Sequence, residues 1–106
     1  MYDFYKELNS TLVKFPKSQR YSLGQKIDKL AIEIFELVIT ASNRPGAEKL
    51  LFLEKASVKL DVLKLLLRLA KENHSLADKN YLRLELLLQE IGKMLGGWLK
   101  HTKQIT

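Results

Sequence analysis

The chain has 106 residues, with 18 Lys and Arg against 12 Asp and Glu, and so a net charge of +6. That length suits one domain, and 46% hydrophobic with 28% charged residues excludes a disordered tail or a collagen-like rod. With no cysteine, disulfides, thiolate nucleophiles and Cys-ligated zinc or iron–sulfur sites are excluded together. The longest leucine runs, Leu65 to Leu67 and Leu86 to Leu88, fall far short of the ~18 apolar residues that a spanning helix needs. The N-terminus interrupts its apolar character with charges at once and reads as no secretory signal. The expectation is a cytoplasmic protein without a membrane role.

Leucine fills 22 positions and lysine 14, while valine, isoleucine and threonine together fill 14, so the composition favours helix over strand. The first apolar seam, Tyr5, Leu8, Leu12 and Phe15, has helical spacing and predicts a helix over about 2–14. Pro16 ends it by pushing Phe15 out of the α region. A second seam, Leu23, Ile27, Leu30, Ile34, Leu37 and Ala41, predicts a helix over about 18–42, with Ser18 or Ser22 as its cap and Ser22 to Gln25 as a capping box. Asn43 to Gly46 closes it, and Pro45 suits the first turn of a third helix over about 45–73. That helix carries Leu53, Ala56, Leu60, Leu63, Leu67 and Ala70. After the break at Asn73-His74-Ser75, Ser75 with Asp78 opens a fourth helix over about 76–100, whose seam runs from Ala77 through Tyr81, Leu84, Leu88, Ile91 and Leu95 to Trp98.

Connections this short make sequential helices antiparallel neighbours, so the predicted fold is all-α, one domain over 1–106, an up-down-up-down four-helix bundle. The first helix covers about half the length of the others and leaves part of the bundle open. The second and third helices carry a further apolar stripe each: Ile32, Phe35 and Ile39, and Val58, Val62, Leu65 and Leu69. Surplus apolar surface of this kind becomes an interface, and these seven residues are the expected homo-oligomer contact. Trp98, on the seam, is expected in the core.

In that topology residues 14–29 and 64–83 share one pole, which gathers ten basic residues against three acidic ones, while the remainder has eight against nine. The candidate nucleic-acid-binding residues are Lys14, Lys17, Arg20, Lys26, Lys64, Arg68, Lys71, Lys79 and Arg83. Lys64, Arg68 and Lys71 follow at helical spacing, as do Lys79 and Arg83. A concentrated positive pole attracts a polyanion by counterion release, and RNA or DNA offers its phosphate backbone. Neither a helix-turn-helix nor an aromatic RNA-binding signature is present, so the expected contact is to shape and backbone. The competing reading is a structural or protein-interaction bundle whose lysines only solubilise it.

Nothing in the sequence seats catalysis. His74 and His101 have no partner at metal or proton-relay spacing, and no phosphate loop, nucleophile elbow or Glu-x-x-His pair occurs. No catalytic residue, metal or cofactor is expected. Gly92 and Gly96, at spacing 4, would permit close helix approach.

Three phrases stand together: Phe15-Pro16-Lys17-Ser18-Gln19-Arg20-Tyr21-Ser22-Leu23-Gly24, Leu63-Lys64-Leu65-Leu66-Leu67-Arg68-Leu69-Ala70, and Glu90-Ile91-Gly92-Lys93-Met94-Leu95-Gly96-Gly97-Trp98-Leu99. In these the sequence resembles the accessory variability determinant proteins of diversity-generating retroelements, within the wider group of four-helix proteins encoded in intervening sequences of 23S ribosomal RNA genes. The resemblance implies a barrel-like homopentamer that binds nucleic acid through basic surface. It also implies a partner, the retroelement reverse transcriptase, in mutagenic copying of a template RNA. Lys17, Arg20 and Arg68 match the family pattern. Lys64 stands where the pattern usually has arginine, which keeps the charge and loses the planar fork for phosphate.

Overall fold

The computed structural model describes residues 1–105. Four helical elements run in order: α1, Tyr2–Leu12; α2, which joins a short α-turn Lys17–Gln19, a π-helical turn Arg20–Gly24 and an α-helix Gln25–Ser42; α3, Gly46–Glu72; and α4, Asp78–Ile105. No strand occurs among the described residues. The molecule measures 46 × 22 × 20 Å, close to the ~42 Å that 28 residues of α4 span at 1.5 Å per residue.

Cross-helix pairs fix the directions. Tyr5 of α1 meets Asp28 and Phe35 of α2, Glu33 of α2 meets Lys59 of α3, Lys71 of α3 meets Tyr81 of α4, and Glu7 of α1 meets Arg83 of α4. Each successive pair is antiparallel, which is the up-down-up-down order. The core is the set of inward stripes: Phe4, Leu8, Leu12 and Phe15; Ile27, Ala31, Ile34, Val38 and Ala41; Leu53, Ala56, Leu60, Leu63, Leu67 and Ala70; Leu84, Leu88, Ile91 and Leu95.

Several helix ends differ from the sequence expectation. α1 stops at Leu12, and Lys14 and Phe15 donate to the carbonyls of Thr11 and Leu12 in a tight turn that folds Phe15 into the core. Neither Ser18 nor Ser22 caps α2: Pro16 precedes its first turn, and the Ser22 hydroxyl donates to the Ser18 carbonyl from inside the π turn. The capping-box pattern fails there because Leu23 is buried in the core and Gly24 is buried beside Leu12 and Phe15, and that packing keeps the chain helical through Ser22. Pro45 precedes α3 with extended geometry, and its carbonyl accepts from Lys49.

The α3 terminus is a Schellman motif. His74 takes the left-handed conformation at φ 66°, its N–H donates to Lys71 O, and Ser75 N–H reaches back to Ala70 O at 2.9 Å. Ser75 is not a side-chain cap for α4: its hydroxyl is buried and finds no partner among the described residues. α4 continues beyond residue 100 to Ile105.

Trp98 is the main correction to the core. It is 44% exposed, on the half of the bundle that α1 is too short to cover. There it borders an open groove of about 260 Å³ with Val38, Leu53 and His101. A Cβ added at Gly92 would come into ordinary contact with Leu60 and the Lys64 side chain, whereas one at Gly96 would meet open space.

Candidate nucleic-acid interface and outer apolar face

Antiparallel packing carries the C-terminal ends of α1 and α3 and the N-terminal ends of α2 and α4 to one pole. Lys14, Lys17, Lys26 and Lys79 are exposed there and form no ion pair among the described residues. Arg20 is also exposed, but its guanidinium donates to the Val13 carbonyl and so closes the open end of α1.

The remaining candidates are engaged. Arg68 donates to Glu72 at 3.1 Å, one turn along α3. Arg83 donates to Glu7 at 3.3 Å, across 76 residues of sequence. Lys71 is half-buried with its ammonium 5.0 Å from the Tyr81 ring centre, a cation–π geometry. Lys64 is half-buried beside the Gly92 backbone. Glu7 is the residue that charge counting by segment missed, because it lies outside both basic segments and arrives through α1. The Tyr81 hydroxyl is held above its ordinary pKa by burial first and by the nearby Glu85 charge second.

A second feature lies on α3. Val58, Val62, Leu65 and Leu69, with Leu51 one heptad earlier, form a stripe on the side of the helix opposite Leu60, Leu63 and Leu67. All five are exposed, Leu65 at 65%. Ile32 and Ile39 of α2 are exposed as well, but Phe35 is half-buried and packs edge-on against Tyr5 at 5.6 Å between ring centres. Phe35 is therefore already occupied within its own chain. Leu51, Leu82, Leu86, Val13 and Met94 are exposed apolar residues as well, and none of them carries a sequence signal of its own.

Among the described residues no helix is long and apolar enough to cross a membrane, and no group of three or more His, Cys, Asp or Glu could hold a metal ion. No curated protein and no solved structure matches the chain. A family model described as bAvd-like matches residues 1–102, a span that includes all three phrases of the resemblance, and the chain belongs to that family as an Avd-like protein.

Proposed function

We propose that this chain is a non-enzymatic accessory protein that binds RNA or DNA through its basic pole. In this reading it supports a retroelement reverse transcriptase in the mutagenic copying of template RNA, in the cytoplasm. The observation that carries it is that exposed lysines, among them Lys14, Lys17, Lys26 and Lys79, which form no ion pair among the described residues, are gathered from three segments onto one pole of a bAvd-like bundle. Exposed cations with no acidic partner keep their field for an external polyanion, and release of condensed counterions then drives association.

The working form is a homo-oligomer, for which the family resemblance favours a barrel-like pentamer. The outer stripe of α3 supports this reading, because one copy has no helix to lay against Val58, Val62, Leu65 and Leu69. The same stripe favours the second reading, a protein-interaction bundle without a nucleic-acid role.

Binding measured against salt separates the two. The accessory reading expects log affinity to fall linearly with log salt, and expects Lys17→Glu with Lys79→Glu to lower the slope by about one or more per lysine. Absence of binding at low salt, or an unchanged slope in that variant, would leave the interaction bundle as the reading that stands.

A further inference from the structure

Of the four tyrosines, Tyr5 and Tyr81 are engaged: one donates to Asp28 and stacks edge-on against Phe35, and the other lies under the Lys71 ammonium. Tyr2 is exposed at the start of α1, at the end of that helix remote from the pole. Tyr21 is 61% exposed on the pole itself, between Arg20 and Ser22, and makes no hydrogen bond among the described residues.

The π-helical turn explains why its ring stands in water. A π turn takes up one residue more than an α turn. Leu23 stays buried in the core and Gly24 beside Leu12 and Phe15, and the extra length is spent outside, where Arg20, Tyr21 and Ser22 are all exposed. Lys17 stands about one helical turn, roughly 5.4 Å, before Tyr21 along the axis.

A cationic surface alone does not distinguish duplex from single strand, since both carry phosphates. An exposed aromatic ring does, because the bases of a duplex are stacked on one another and only an unpaired base offers a free π face. Resting on the basic-pole reading above, we infer that the pole takes single-stranded nucleic acid, with one base stacked on Tyr21 and the flanking phosphates on Lys17 and its neighbouring lysines. The contact is indifferent to sequence, because every base has a π face.

The test uses the full chain and three labelled probes: oligomers of uridine and of deoxythymidine about 15 nucleotides long, within the reach of one single-strand site, and a duplex of equal length. Tyr21→Ala is expected to weaken both single strands about tenfold and the duplex less than about twofold, as loss of one stacked base requires. Tyr21→Phe keeps the ring and restores binding to within about twofold, and the salt slope is unchanged in both variants because no phosphate contact is removed. A tenfold loss confined to the RNA or to the DNA strand also supports the stacking and names the strand that uses the ring.

Equal losses on single strand and duplex, or no loss on either strand, overturn it. So does a change in oligomeric mass on Tyr21→Ala, which would put the ring at a subunit contact. If Lys17→Glu with Lys79→Glu weakens binding while Tyr21→Ala does not, the pole stands and the stacking falls. If the wild-type chain binds no probe, the basic-pole reading itself has failed.

Discussion

Tyr5 donates its phenolic hydrogen to the Asp28 carboxylate at 2.8 Å and binds α1 to α2 across 23 residues of sequence. Burial first, and the Asp28 hydrogen bond second, hold the Tyr5 hydroxyl above its ordinary pKa of 10.0. The folded chain therefore keeps this proton more tightly than the unfolded chain does. The stabilisation is complete below the unfolded pKa and is lost as pH rises through the folded one. Denaturant melts are expected to show stability falling above about pH 10, with that tyrosine's share of the fall absent in Tyr5→Phe. At neutral pH Tyr5→Phe should cost about 1 to 3 kcal/mol, since it strips a charged acceptor of its donor.

Leu65 and Leu67 separate core from outer face within one turn of α3. Leu67 is fully buried and Leu65 is 65% exposed. Leu67→Ala should destabilise the fold by about 2 to 5 kcal/mol in chemical denaturation. Leu65→Lys should leave the isolated bundle within about 0.5 kcal/mol of wild type. Light scattering should meanwhile show the mass fall from a multiple of 12.3 kDa toward that value. A wild-type mass of one chain at micromolar concentration would remove the oligomer proposal.

Arg68 and Arg83 should contribute less to nucleic-acid affinity than the exposed lysines of the pole, Lys17 and Lys79. Arg68 and Arg83 hold Glu72 and Glu7, so neutralising them also frees an acid, and each change splits between binding and surface packing. Lys17→Gln and Lys79→Gln are expected to reduce the salt slope by about one each with melting temperature unchanged. Arg83→Gln should lower stability by about 0.2 to 1 kcal/mol, the range of an exposed ion pair.

The connection after α3 contains two local conflicts, and relieving either should help. His74 occupies a left-handed position that favours glycine, so His74→Gly is expected to stabilise the chain by about 1 kcal/mol. The buried Ser75 hydroxyl lacks a partner among the described residues, so Ser75→Ala should be neutral or stabilising in the same melts. A loss above 1 kcal/mol in Ser75→Ala would restore the capping role that the sequence suggested.

Leucine spacing made the inward stripe of α3 legible residue by residue, because burial there follows helical period alone. The start of α2 was not legible, since Ser22 carries the local signal of a cap while the decisive force is burial of Leu23 in the core and of Gly24 beside Leu12. Trp98 obeyed the seam spacing and still came out half exposed, because period says which face a residue shares and not whether another helix reaches that far. The pole was legible from topology, but its free charge was not: Glu7 is adjacent to Arg83 only after folding. Tyr21 gave no signal of its own, as a π turn has no composition mark.

The π turn also makes α2 tolerant of a change in length. A π turn closes over one residue more than an α turn, so deleting one of the exposed residues within Arg20–Gly24 would return the segment to α-helix and leave the residues on either side in phase. Ile27, Ala31 and Ile34 would keep their bearings, and Lys17 would keep its own. The charged start of α2 and its buried stripe are thereby insulated from the gain or loss of a single residue between them.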